Sequence, residues 1–289
     1  MRVHSYCWAY LWMILLLPVA AFPARAQNRP LLSPDAEIVS PGTLRVQVGF
    51  DFLQRVSYPL SGLSGDQSNL GVVDLRLGLG KIVEGEFTGT ARSFLQINSR
   101  GPSFVGLALP SANSTNDTGD FSLLTKIHIL DEGERRPAMA FRFGVTMPNS
   151  NQARGIGNNS TNVLADAVVE RHFGRLEAFG SVGLAILTAP NAKTTQNDEL
   201  RYGLGASYPL TRSIHLVAEG AGQQSTRKIG PPLVGTESRG QGRLGVQIVV
   251  SGFTWDAAAI AGIYRNDPHT GFTFGVSHDF QVFGRARTQ

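Results

Sequence analysis

The stretch GFTFGVSHDF, residues 271–280, alternates between two kinds of side chain. Its even positions are apolar apart from His278, whereas its odd positions, such as Thr273 and Asp279, are small or polar. Successive side chains of a β-strand point to opposite faces, so this pattern predicts a strand with one apolar face. That face must be covered either by a second sheet or by lipid.

The same alternation recurs along the chain and predicts twelve strands in total. The predicted strands are residues 44–52, 73–79, 83–97, 121–130, 138–147, 163–171, 176–186, 200–208, 214–222, 242–250, 253–263 and 271–280. Long polar connections alternate with short turns between them. The long connections are predicted as external loops at residues 55–69, 98–118, 148–161, 188–199, 223–235 and 265–270.

An even number of strands with alternating long and short connections is typical of outer-membrane barrels. A sheet in lipid must close, because an open edge leaves backbone groups without hydrogen bonds. The sequence therefore predicts an all-β fold, a closed antiparallel transmembrane β-barrel of about 12 strands and of the outer-membrane type. A soluble β-sandwich is the alternative, but it gives no reason for every long loop to lie at one end.

The first 26 residues have the features of an export signal. Arg2 precedes an apolar run at residues 7–21, and the small-residue box Ala24-Arg25-Ala26 follows. This arrangement predicts a cleaved signal peptide over residues 1–26, with an uncleaved anchor as the alternative. The remaining expected regions are a periplasmic N-terminal lead at 27–42, the barrel at 43–283 and a C-terminal tail at 284–289. The expected location is the bacterial outer membrane.

Composition excludes several classes of function. The formal net charge is only +4 and no Lys/Arg cluster occurs, so nucleic-acid binding has no support. The single cysteine, Cys7, lies in the predicted signal, which leaves no disulfide or thiolate metal site in the mature chain. No metal-ligand spacing or phosphate-binding glycine loop is found, and no cofactor is predicted.

Charged side chains fall almost entirely on the polar parity of the predicted strands, which faces the lumen of a barrel. The candidate lumen-facing and binding residues are Arg45, Asp74, Arg76, Glu84, Glu86, Arg92, Lys126, Arg142, Asp166, Glu170, Glu177, Arg201, Glu219, Arg243 and Asp256. A three-residue turn at 80–82 would place Arg76 opposite Glu86 as an ion pair. A turn at Phe173-Gly174 would place Glu170 opposite Glu177, near the periplasmic mouth.

Four segments carry a resemblance to a known family: LRLGLGKIVEGEF at 75–87, GDFSLLTKIHIL at 119–130, FRFGVTMP at 141–148 and the closing GFTFGVSHDF. The chain resembles the outer-membrane transporter-like family associated with the meta-cleavage pathway of phenol degradation. The resemblance implies a channel for small, hydrophobic or aromatic compounds. Such barrels end at a terminal aromatic, and either Phe280 or Phe283 could fill that role here.

Three functions follow as hypotheses. The first is a non-enzymatic channel that passes small molecules through a charged lumen. The second is an outer-membrane hydrolase with a rim active site, for which His215, Ser207 and Glu219 are the nearest candidate set. The third is a structural or adhesive barrel that binds partners through its outer loops. The expected partners are outer-membrane lipid, an unidentified small-molecule substrate and the barrel-assembly machinery, through the strand from Phe272 to Phe280.

Overall fold

The computed structural model describes residues 29–190, 196–227 and 233–284, so the predicted signal peptide and most of the predicted tail lie outside the described residues. Thirteen strands occur in this part of the chain. They are β1 Thr43–Tyr58, β2 Leu63–Gly78, β3 Val83–Arg100, β4 Ser114–Asp117, β5 Ser122–Leu130, β6 Ala138–Thr146, β7 Asn162–Phe173, β8 Leu176–Thr188, β9 Gln196–Pro209, β10 Ile214–Ser225, β11 Arg239–Val250, β12 Phe253–Gly262 and β13 Thr270–Gln281.

Twelve of the described strands form one closed antiparallel barrel. The chain's first and last long strands meet at a seam, where Leu44 of β1 lies opposite Phe280 of β13 and Gly49 lies opposite Gly275. The short strand β4 is additional and pairs only with residues 93–96 of β3. The predicted fold class is confirmed, and the opening stretch is one side of the seam that closes the barrel.

The barrel has two distinct ends. Short turns at 79–82, 131–137, 174–175, 210–213 and 251–252 lie at one end, here called the turn end. The longer connections and the four-residue turn at 59–62 lie at the other, here called the loop end. The rule for outer-membrane barrels predicts that the turn end faces the periplasm. One predicted loop is wrong, because most of residues 55–69 belongs to β1 and β2, which continue to a turn at 59–62.

A break in the alternation explains a second correction. Gly71 in β2 has a φ of 65°, and the residues that face inward change parity there. Arg76 is buried on one side of this break, whereas Gln67 and Asn69 are buried on the other. The neighbouring strand β3 changes parity at the same level, so Ser93 is buried and Arg92 is exposed. Arg92, predicted to face the lumen, is therefore on the outside.

The outer face of the wall is apolar. Leu204 is 71% exposed, and Leu244, Leu184, Val182 and Trp255 are each more than half exposed. Such a surface on alternate strand positions is what lipid contact requires. Among the described residues, no helix is long and apolar enough to cross a membrane.

Candidate functional site: the barrel lumen

The lumen contains nearly all of the charged residues predicted to face it. Those buried inside the barrel are Arg45, Arg76, Glu84, Glu86, Lys126, Arg142, Asp166, Glu170, Glu177, Glu219, Arg243 and Asp256. Asp74 and Arg201 are half-buried. A binding role for these residues stays a prediction.

Strand register aligns five of these side chains into a belt. Glu84 lies opposite Lys126, Lys126 opposite Arg142, and Arg142 opposite Asp166, while Gly183 separates Asp166 from Arg201. This set is called the charged belt below. Opposed Cβ atoms in a ladder lie about 5 Å apart, so the opposite charges of the belt, Glu84 with Lys126 and Arg142 with Asp166, can pair across neighbouring strands.

Ion pairs join neighbouring members of the belt and connect the belt to Glu86. Arg142 donates to Glu86 at 2.8 Å and lies 3.5 Å from Asp166, which also accepts from Arg201 Nε at 2.9 Å. The predicted register of Arg76 opposite Glu86 is confirmed. The Arg76 guanidinium nevertheless donates to Asp74 at 2.8 Å, and the Glu86 carboxylate accepts from Arg142.

The turn-end half of the lumen is filled by residues 29–39, here called the plug segment. Arg29, Leu31, Ser33, Asp35 and Ala36 are each at most 6% exposed. The segment belongs to no strand, and it crosses from the region of β12 and β13 to β3 before the chain enters β1. Residues 29–39 of the expected periplasmic lead therefore lie inside the barrel.

Wall carboxylates hold the backbone of the plug segment. Glu219 accepts from the N–H groups of Leu32 at 2.5 Å and Ser33 at 2.9 Å. Glu170 accepts from Ala36 at 2.9 Å, and Glu84 accepts from Val39 at 2.6 Å. Buried backbone groups need partners, and an extended segment without a neighbouring strand must obtain them from side chains.

Donors on β11 complete the contacts with the backbone carbonyls. Arg243 Nη1 donates to the carbonyl of Pro30 at 2.6 Å, and Gln247 donates to the carbonyl of Arg29 at 2.5 Å. Asp35, at the middle of the plug segment, accepts from the buried Lys126 at 3.0 Å. The same ammonium group lies 3.1 Å from Glu84. Lys126 therefore joins the plug to the charged belt.

Two glycines make room for the first side chain of the plug. Arg29 donates to Thr273 at 2.9 Å and to Asp256 at 3.4 Å. A Cβ at Gly275 would lie 2.7 Å from Arg29 Nε, and one at Gly49 would overlap the guanidinium. These seam glycines are therefore needed for close approach and not for a turn.

The acidic pair at the turn end differs from its predicted geometry. The turn is Gly174-Arg175, so Glu177 lies opposite His172 and Glu170 lies opposite Phe179. The two carboxylates are thus diagonal neighbours and not directly opposed. His172, beside this turn, lies 2.7 Å from Glu132 in the adjacent turn, and this hydrogen bond lowers the pKa of Glu132.

The loop-end half contains a cavity of about 290 Å³. Arg142 and Arg201 of the charged belt form part of its lining, together with hydroxyl and amide side chains such as Ser122 and Asn162. Leu124, Leu164 and Leu187 contribute apolar surface. This cavity and its apolar wall were missed by the sequence reasoning, which treated every inward position as polar.

The hydrogen bonds of the described residues do not join the candidate hydrolase residues Ser207, His215 and Glu219 to one another. Ser207 lies opposite Val217, while His215 lies opposite Pro209. The Glu219 carboxylate is occupied by the plug backbone. Among the described residues, no cluster of three or more His, Cys, Asp or Glu side chains could hold a metal ion.

Comparison with known families identifies the barrel. A family model described as "Putative MetA-pathway of phenol degradation" matches residues 27–289. The chain belongs to this family. The resemblance carried by the four quoted segments is thereby confirmed. Comparison with curated protein sequences gives no match.

Solved structures of similar fold are outer-membrane barrels. An outer-membrane channel from Pseudomonas putida F1 is 13% identical and has a TM-score of 0.59, over 86% of this chain and 100% of that chain. The translocator domain of the autotransporter NalP from Neisseria meningitidis is 16% identical, with a TM-score of 0.49, over 82% of this chain and 88% of that chain. The likeness to the Pseudomonas putida structure agrees with the fold described above, that of an outer-membrane β-barrel.

The family's terminal aromatic has two candidates in this chain. Phe280 is within β13 and is 48% exposed, whereas Phe283 follows the strand and is 49% exposed. The N–H of Phe283 still donates to the carbonyl of Gly42 at 3.2 Å. Both rings are thus exposed beside the seam.

Proposed function

We propose that the protein is a non-enzymatic outer-membrane channel that passes small molecules through its lumen when the plug segment moves. The observation that carries this proposal is the way the plug is held. Residues 29–39 belong to no strand, and wall side chains hold their backbone. The plug can therefore leave without breaking the ladder that keeps the barrel closed.

Further features support a channel over an enzyme. Most of the wall's inward face is polar, the loop-end half already contains a cavity, and the Pseudomonas putida protein of the same fold is an outer-membrane channel. Among the described residues, no hydrogen bond joins Ser207 to His215, and the Glu219 carboxylate is engaged by the plug backbone. The cargo is expected to be a small molecule, and the C-terminal strand from Phe272 to Phe280 is proposed as the contact for barrel assembly.

A disulfide can test whether the plug must move. A Cβ at Gly203 would lie 3.2 Å from the Cβ of Ser33, close to the separation of about 3.8 Å that a disulfide prefers. The double variant Ser33→Cys/Gly203→Cys should therefore link the plug to β9. The cysteine of the signal, Cys7, is expected to be removed with it.

Conductance in planar bilayers gives the outcome. We expect the oxidised double variant to lose the conductance of the wild type and to regain it on reduction. Each single cysteine variant serves as a control, since neither can form the link. If the oxidised form conducts like the reduced form, the plug does not gate the channel. If no form conducts, the channel function itself is wrong.

A further inference from the structure

The cavity in the loop-end half has a cationic floor. Arg201 uses Nε to donate to Asp166 at 2.9 Å, and among the described residues its two terminal nitrogens have no hydrogen-bond partner. Arg142, at the same level of the barrel wall, also contributes to the lining. The acidic partners Glu86 and Asp166 are at most 2% exposed and do not line the cavity. Guanidinium groups are thus what a guest would meet at the floor.

Directly above this floor the wall is apolar. Leu124, Leu164, Ala185 and Leu187 form one cluster of buried side chains. Register places Leu164 opposite Ala185, one inward step from Asp166 toward the loop end. Leucines are unusual on the inward face of a channel, because that face is normally polar. Leu60, from the β1–β2 turn, adds apolar surface to the same cavity.

Polar side chains complete the lining, and their charge is unbalanced. Three arginines line the cavity, namely Arg142, Arg201 and Arg239, whereas Glu237 is the sole acidic side chain among the described lining residues. The Glu237 carboxylate already accepts from the N–H of Gly235 at 2.9 Å. Arg239 is likewise engaged, since it donates to the carbonyl of Ser57 at 2.8 Å. Arg201 is therefore the best-placed donor for a new anion.

We infer that this cavity binds a small amphipathic anion, an organic carboxylate with one apolar ring or a short chain. Its carboxylate accepts from Arg201, with Arg142 beside it, and its apolar body lies against Leu164 and Leu187. A guanidinium presents paired N–H donors that match a carboxylate. The volume of about 290 Å³ suits such a guest, since an apolar cavity of about 150 Å³ accommodates benzene.

This inference rests on the proposed channel only in treating the cavity as part of the route, and binding can be measured without conductance. Isothermal titration calorimetry on the purified barrel would compare benzoate with benzyl alcohol, benzylammonium and acetate. We expect benzoate to bind about tenfold or more tightly than each of the others, because only benzoate uses both the cationic floor and the leucines. Equal binding of benzoate and benzyl alcohol, or of benzoate and acetate, would overturn the inference.

Variants locate the site. Arg201→Gln should remove the preference for benzoate over benzyl alcohol, and Leu164→Ser should weaken both ring compounds. Arg92→Gln is the matched control, because Arg92 is an exposed arginine on the outside of β3. If Arg92→Gln weakens benzoate as much as Arg201→Gln does, the site is elsewhere. Heat-modifiable gel mobility shows whether Arg201→Gln still closes as a barrel. If it does not, the binding measured for Leu164→Ser decides whether the site lies in this cavity.

The two proposals fail separately. The oxidised Ser33→Cys/Gly203→Cys barrel is expected to bind benzoate although it does not conduct, because the cavity lies on the loop side of the plug. Selective binding in a barrel that never conducts would overturn the channel and leave the binding site. Conductance without selective binding would overturn the binding site and leave the channel.

Discussion

The turn-end and loop-end halves of the lumen share one wall but hold different contents. The turn-end half surrounds a polypeptide, and its wall supplies carboxylates and donors to individual backbone groups of residues 29–39. The loop-end half surrounds a cavity, and its wall supplies leucines, hydroxyl groups and three arginines. A polypeptide guest needs a partner for each buried backbone group, whereas a small guest needs only a few. The inward-facing residues of each half therefore indicate which kind of guest that half holds.

The largest expected effect comes from the contact that joins the plug to the belt. Lys126→Ala would leave Asp35 and Glu84 facing each other without the ammonium group that now lies 3.0 and 3.1 Å from them. Removing one partner of a buried ion pair costs about 3–5 kcal/mol. Urea unfolding in lipid vesicles measures this loss, with the exposed turn variant Lys81→Ala as control. Equal stability of the two variants would mean that the turn-end half does not depend on its charges.

A smaller effect is expected where one carboxylate holds two backbone groups. Glu219→Gln would turn an amide NH₂ toward one of the N–H groups of Leu32 and Ser33, which now both donate to the carboxylate. A loss of about 1–2 kcal/mol would raise the ratio of open to closed channels about 5–30-fold. Single-channel recording gives the open fraction. Glu237→Gln, in the loop-end cavity, should leave the open fraction unchanged. A similar increase of the open fraction in both variants would show that the plug is not held specifically by the turn-end half.

A change in the seam should loosen the plug with little effect on the barrel. The added methyl of Gly49→Ala overlaps the Arg29 guanidinium, and the end of a long side chain can move aside at low cost. Hydrogen exchange should then quicken at the amides of Leu32 and Ser33. Gly220→Ala is the control, because nothing lies within 4 Å of its added Cβ. Unchanged exchange in Gly49→Ala would show that Arg29 does not anchor the plug.

The smallest effect is expected at the turn-end mouth. Glu170 accepts from the Ala36 N–H at 2.9 Å, whereas Glu177 is buried beside it without a hydrogen bond from a described residue to Oε1. We expect Glu170→Gln and Glu177→Gln to shift the ion selectivity toward anions, measured as reversal potential in a salt gradient, because each removes a carboxylate from the mouth. Glu132→Gln, in the exposed turn, controls for surface charge. Unchanged selectivity and conductance would leave the acidic pair with a structural role only.

Alternation alone was enough to predict the barrel and the inward position of most charged residues. Side chains of a strand have a period of two, so the facing of Lys126 or Asp166 follows from the apolar residues on either side. The same rule fails wherever one residue breaks the period. At Gly71 the inward parity changes, and Arg92 on the neighbouring strand moves to the outside. Nothing in the local pattern marks the direction of that change.

The plug could not be predicted because an extended segment without strand pairing has no periodic pattern. Pro30 and Pro34 fit a lead outside the barrel as well as a segment inside it. The available signal was in the wall, where Gly49, Gly203 and Gly275 leave space against Arg29 and Ser33.

The mispredicted turn at Phe173-Gly174 has a different cause. Two-residue connections starting at either residue fit the sequence, and only the ladder register selects Gly174-Arg175.

The location of Arg29 has a consequence for the order of assembly. Its guanidinium rests on Gly49 of β1 and Gly275 of β13, which are opposite each other across the seam. Before these first and last strands meet, each carries only half of that pocket. The plug can therefore complete its docking only after β1 and β13 have paired. A tightly docked N-terminal segment thus indicates that the barrel has finished folding.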